Sequence, residues 1–319
     1  MERTSNLPVP GKEFSLKVPW KKDFRRNWMV YLIFLPVFLY VFIFNYLPMF
    51  GIVMSFQDYS IVKGFFGSEW VGLRNFIDLF SGEAFPNALR NTFIMAGFNL
   101  VLGFPAPIIF ALLITSVKPR KFRRTSQVIS YLPNFVAAVV LVNLIKNFMS
   151  STGAITEALT FFGLPAQNWL TNPDPPVFWL INSLSGVWQG FGYGSIIYIA
   201  AITNISGEYY EAAAIDGASE WQRIWRITIP CIMPMIVMML VLQFGVLLRV
   251  GFDRVLMMYV PRTYEVADNL FTYTYRMAFG MAPNFGLAAA SGLFQSVIST
   301  ILLVASNQIS KRISSMSLF

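Results

Sequence analysis

Four of the 16 acidic residues, Glu208, Glu211, Asp216 and Glu220, gather in one stretch, residues 204–234, which reads NISGEYYEAAAIDGASEWQRIWRITIPCIMP. They have few partners for covalent chemistry. The chain has no histidine, which excludes Ser-His-Asp and Cys-His nucleophile systems and His-based zinc sites. Its single cysteine, Cys231, follows Pro230 at the head of an apolar run and reads as a small buried hydrophobe. No glycine-rich loop ending in Gly-Lys-Ser or Gly-Lys-Thr is present, so the chain carries no phosphate cradle of that kind. No set of catalytic residue types lies at one depth, and the sequence does not read as an enzyme. What remains for the acidic stretch is binding another surface.

A second set of candidates is neutral. Asn182, Ser185, Gln189 and Tyr193 recur every three or four residues and so share one helical face, with Trp188 beside them. Amides suit hydroxyl groups and an indole suits the face of a sugar ring. Asn99, Asn134, Asn143, Gln243 and Gln295 can complete such a lining from other segments. Hydrogen bonding between helices uses the same residue types, and both roles stay open.

The elements that carry these residues follow from composition. Of 319 residues, 55% are hydrophobic and 13% charged, against roughly 25% charged in an average soluble domain. Mean hydropathy is +0.56. The runs from Trp28 to Phe56, Asn91 to Val117 and Pro175 to Gly207 contain no Asp, Glu, Lys or Arg, and each exceeds the roughly 20 residues that cross a bilayer as helix. The sequence predicts an all-α integral membrane bundle of six transmembrane helices, at about 28–52, 91–117, 126–148, 177–203, 228–250 and 286–308.

Net charge is +8, but the placement of the basic residues matters more than their sum, and no nucleic-acid partner is expected. Most of the 24 lie before the first span, in the Lys118 to Arg124 cluster, at Arg223 and Arg226, or at Lys311 and Arg312. The positive-inside rule then puts both termini in the cytoplasm. Residues 1–27 form a retained cytoplasmic segment, 28–308 the membrane domain, and 309–319 a cytoplasmic tail. The outside segments, about 53–90, 149–176 and 251–285, offer Phe65, Phe66, Trp70 and Trp169 as interfacial anchors. No acid or base is expected deep in a span, which argues against proton or sodium coupling through a buried carboxylate and for an external energy source.

The acidic stretch lies between the fourth and fifth spans, on the cytoplasmic side, and reads as two short helices. Ser206 caps the first, Ala212 to Ala214 favour it, and Gly217 sits where a left-handed residue would stop it. Ser219 with Gln222 has capping-box spacing for the second, whose Trp221, Ile224 and Trp225 cannot all face water.

The run Glu211-Ala212-Ala213, three residues, Gly217, nine residues, Ile227, one residue, Ile229, Pro230 resembles the EAA-loop signature of the membrane subunits of binding-protein-dependent ABC importers. Ile229 stands where that pattern usually has Leu. Asp216-Gly217-Ala218 and Pro234 look like the carbohydrate-uptake branch, as do Val71 to Phe76, Ala88 to Thr92 and Val187 to Gly192. The resemblance implies that the loop at 204–230 is a coupling helix seated on a separate ATPase subunit, with Glu211, Ala212, Ala213, Asp216 and Gly217 at the contact. It also implies a second, homologous permease subunit, an extracytoplasmic solute-binding protein, a carbohydrate cargo of oligosaccharide type and a prokaryotic cell membrane. ATP and Mg would belong to the partner, leaving this chain without a cofactor. The rival from another class is a self-sufficient secondary transporter or channel, in which residues 204–230 are only a connector.

Overall fold

The structure, a computed structural model, describes residues 20–172 and 175–314. Arg3, Lys12 and Lys17 of the basic N-terminal segment and the last five residues of the tail lie outside that range. The chain divides into two units, Met1–Gly51 and Ile52–Phe319.

Most of the described part of the first unit is the helix α1, Trp28–Phe56, whose residues from Ile52 on are assigned to the second unit. Its Trp28–Val41 part contains no buried residue, the condition of a helix whose solvent is lipid or another chain. Pro48 cannot donate a backbone hydrogen bond, and the helix tightens to 3-10 geometry from Leu47.

The second unit is built around helices α2, Ala84–Ser116; α3, Arg120–Phe135; α4, Ala138–Phe148; and α5, Pro175–Thr203. They are followed by α6, Gly207–Ile215; α7, Glu220–Gly245; α8, Phe252–Met258; α9, Leu270–Phe279; and α10, Phe285–Ser314. A short antiparallel hairpin pairs Gln57 with Trp70 and Asp58 with Glu69.

Among the described residues, α1, α2, α7 and α10 are long and apolar enough to cross a membrane, and α3 with α4 makes a fifth candidate if the bent pair is one span. The third span, expected as one helix over 126–148, is broken by a 97° bend. Pro133 forces a 3-10 turn and Val136 and Ala137 turn extended, so the ladder lapses for two residues. The expected fourth span, α5, has 29 residues but is too rich in Asn, Ser, Gln and Gly to stand with the four. It is the hub of the unit instead.

Phe178 and Ile181 of α5 join Met95 of α2, Val142 of α4 and Val255 and Met258 of α8 in one core cluster. Tyr198 and Ile202, at the other end of α5, meet Ala111 of α2 and Ile232 of α7. A third cluster joins Leu79, Phe85, Leu270, Tyr273 and Ala290.

Glycine lets these helices touch. A Cβ on Gly192 would lie 1.9 Å from the backbone oxygen of Ser130, so α5 and α3 meet backbone to backbone. Cys231, expected to be buried, is exposed, because it lies on the outer face of α7. Trp169, expected as an interfacial anchor, packs half-buried against the first core cluster, while Phe66 and Trp70 are exposed.

Candidate functional site

The acidic stretch folds largely as its sequence dictates. Ser206 Oγ accepts from the Glu208 amide, and α6 ends in a left-handed turn at Gly217, φ +76°. There the Ala218 amide donates to the Ala213 carbonyl (2.9 Å) and the Gly217 amide to the Ala214 carbonyl (3.2 Å), the two bonds of a Schellman motif. The Ser219–Gln222 capping box forms with both of its hydrogen bonds.

One expectation changes. The second short helix is not separate: Glu220–Gly245 is a single helix with a π turn at Ile224–Thr228, just before Pro230. The missing amide of Pro230 is absorbed by that wider turn, where the Thr228 hydroxyl donates to the Arg223 carbonyl (3.4 Å). Whatever moves Glu220 therefore moves α7.

Glu211, Ala212, Asp216 and Gly217 are exposed and Ala213 is half-buried. Ile215 is 87% exposed, Trp221 66% and Trp225 55%, the two indoles meeting edge to face at 5.8 Å. Carboxylates, small residues and unburied aromatics thus crowd one exposed two-helix elbow, more apolar surface than a lone solvated loop needs. The Tyr210 and Thr228 hydroxyls bond across the elbow at 3.0 Å. Lys118 faces Glu220 at 3.6 Å, an exposed pair of little energetic weight.

The residues of the neutral stripe on α5 have different surroundings. Asn182 is buried, and its amide points at Met95 Sδ (3.5 Å) and the Val250 carbonyl (3.4 Å). The Ser185 hydroxyl donates to the Asn182 carbonyl, 2.8 Å. Trp188 and Tyr193 are about half exposed, Tyr193 against the edge of Phe135. Gln189 bridges two elements: its Nε2 donates to the Val136 carbonyl freed by the α3–α4 bend (3.0 Å), and its Oε1 accepts from Arg254 Nη1 (3.2 Å).

Arg254 adds a charge at the fourth-span helix from outside it: no acid or base was expected deep in a span, and Arg254 belongs to the connection that follows α7. α7 ends at Gly245, the chain turns back at Gly251, φ +73°, and α8 packs its Val255 and Met258 into the core beside α5. From there the long arginine side chain carries its guanidinium to Gly186 and Gln189. Gln189→Leu strands a bent-helix carbonyl and a guanidinium nitrogen together. It is expected to cost about 3 kcal/mol, read as a lowered midpoint in thermal unfolding of the purified chain. An unchanged midpoint would mean the bridge carries no stability.

Two cavities lie beside this bridge. One, about 510 Å³, is lined by Asn99, Arg249, Gly251, Phe252, Arg254 and Phe271, with Asp253. The other, about 590 Å³, shares Arg249, Phe252 and Phe271 and adds among others Thr274, Tyr275, Gln295 and Ser299. Asn99 and Gln295 were legible as pathway candidates. Arg254 and the rings of Phe252, Phe271 and Tyr275 were not, since they belong to a segment that reads as an outside connection, and Arg249 falls at the very end of the fifth expected span.

That segment is held by the second-span motif. Asn91 Nδ2 donates to the carbonyls of Glu265 (2.8 Å) and Asp268 (3.0 Å), and the Leu270 amide donates to Thr92 Oγ1 (2.9 Å). Asp268 is buried against Arg276 and the Thr272 hydroxyl. Burial pushes its carboxyl above the usual carboxylate range, and the Thr272 hydroxyl and Arg276 pull it back.

A bundle of membrane-length helices with a rigid exposed elbow continuous with one of them, and a polar and aromatic cavity inside, is the build of a membrane transport component. The chain belongs to the family of binding-protein-dependent transport system inner membrane components, whose family model matches residues 103–315. It is 36% identical over 97% of its length, and 98% of the relative's, to the polygalacturonan/rhamnogalacturonan transport system permease protein YteP of Bacillus subtilis. Its fold matches a bacterial ABC transporter involved in the import of the acidic polysaccharide alginate, with a TM-score of 0.85 and 38% identity over 92% of this chain and 99% of that one. A second structure of a bacterial alginate ABC transporter, in complex with a periplasmic protein holding an alginate pentasaccharide, matches with the same score and identity over 94% and 99%.

Proposed function

We propose that this chain is the permease subunit of an ATP-driven importer of oligosaccharides, set in a prokaryotic cell membrane as six spans with both termini cytoplasmic. The observation that carries this reading is the continuity of α7 from Glu220, on the exposed elbow, to Gly245, at the cavity. A rigid helix running from a docking surface to a binding cavity passes movement from one to the other. The Glu211–Gly217 elbow seats on a separate ATPase subunit, which holds ATP and Mg. A second permease subunit, related to this one, completes the pathway, and a solute-binding protein delivers the sugar from outside. The transport of polygalacturonan, rhamnogalacturonan and alginate by the relatives supports an oligosaccharide cargo.

Expression with the candidate ATPase and second permease tests this. A stoichiometric complex is expected, with ATP hydrolysis stimulated several-fold by oligosaccharide-loaded binding protein. Uptake driven by an ion gradient in vesicles holding this chain alone would overturn it.

A further inference from the structure

Arg254 is a guanidinium in a prepared seat. A Cβ on Gly186 would lie 2.6 Å from its Nη2, and one on Gly251 2.7 Å, so two glycines on different elements leave room for it. Nη1 donates to Gln189, while the buried Nε has no hydrogen-bond partner, and the nearby Asn182 Oδ1 is likewise unpaired. Among the described residues neither Arg254 nor Arg249 is in an ion pair. Asp253 lines the same cavity but lies beyond ion-pair distance of both.

A largely buried cation held by one amide is a costly arrangement unless an anion completes it. The cavity around it has the residue types a sugar site uses. Phe252 and Phe271 line it with aromatic rings and Asn99 with an amide, and Arg249, an exposed side chain, lies over the Phe271 ring at 5.9 Å. Guanidinium groups bind carboxylates through paired hydrogen bonds, which gives them direction as well as charge.

Resting on the importer reading above, we infer that the Arg249–Arg254 cavity is a carboxylate subsite, which makes this permease selective for acidic, uronate-containing oligosaccharides over neutral ones. Gln189 acts as the positioning residue that holds Arg254 to the pathway.

The test uses the full complex in vesicles, with one oligouronide and its carboxyl-reduced, neutral counterpart of equal length. The measured quantity is the ratio of acidic to neutral uptake, because the binding protein's own preference is common to all variants. R254Q is expected to lower that ratio by about tenfold, the loss of one charge-assisted hydrogen-bonded contact. R254K is expected to lower it less. R249Q, on an exposed side chain in no ion pair among the described residues, is expected to lower it in the same direction.

An unchanged ratio in both R254Q and R249Q overturns the subsite while leaving the importer reading intact. So does an R254Q complex that loses its second permease on size exclusion, which would make the missing anion a carboxylate of that subunit. If the wild-type complex takes up neither sugar, the importer reading is overturned, and the subsite with it.

Discussion

Gly217→Val is expected to leave insertion and assembly intact and to lower oligosaccharide-stimulated ATP hydrolysis and uptake about tenfold, the scale of the 1–2 kcal/mol a β-branched residue loses in the left-handed region. Gly217 holds φ +76°, and a Cβ there would meet nothing within 4 Å. The penalty is therefore in the backbone and not in packing. It falls where the chain changes direction between α6 and α7, so relief by any other φ re-aims Glu211 and Asp216 relative to the helix they must drive. Gly217→Asn is the control, because asparagine tolerates this conformation, and it should retain most coupling. ATPase assays on purified complexes in vesicles read the difference. Full stimulation and uptake in the valine variant would show that the elbow transmits nothing.

The elbow was legible in the sequence because its determinants are local. Ser206, Ser219 with Gln222, and Gly217 each act on backbone groups within a few residues, and each does in the structure what its type and spacing imply. The apolar runs were legible for a similar reason, since bilayer thickness imposes a length that composition reveals.

The cavity was hidden because it is made by tertiary reversal. Arg254 belongs to a connection with the composition of an outside loop, and nothing in residues 246–258 announces that the chain turns at Gly251 and brings a guanidinium to the middle of α5. Gln189 carried two open roles, pathway and scaffold. Both atoms of its amide are engaged, one by a carbonyl released at a bend three residues beyond Pro133, so its scaffold role required a partner on another helix to be recognised. Likewise Asn75, within the Val71 to Phe76 motif, donates to the carbonyls of Ser55 and Gln57. Asn91 and Thr92 pin the segment that carries Asp268 and Leu270. The motif residues outside the elbow that resemble the family thus hold the frame of the cavity, and the groups that face into it lie largely elsewhere.

Two glycines just after the bridging Gln189 should separate frame from filler. Gly192→Ala is expected to destabilise the chain by about 3 kcal/mol or more, because the added methyl would meet the Ser130 backbone oxygen at 1.9 Å and its carbonyl carbon at 2.4 Å. Both obstacles are backbone, so no rotamer change relieves them and α3 must move off α5. That displacement pulls on the Val136 carbonyl and hence on Gln189 and Arg254, so uptake should fall with stability. Gly190→Ala, two positions away, meets nothing within 4 Å and replaces glycine by a better helix former, which should be neutral or stabilising by up to about 1 kcal/mol. Thermal unfolding of the two variants in the same detergent decides it. Equal midpoints would mean that α3 and α5 do not pack backbone to backbone, and the seat of Arg254 would lose the frame that fixes it.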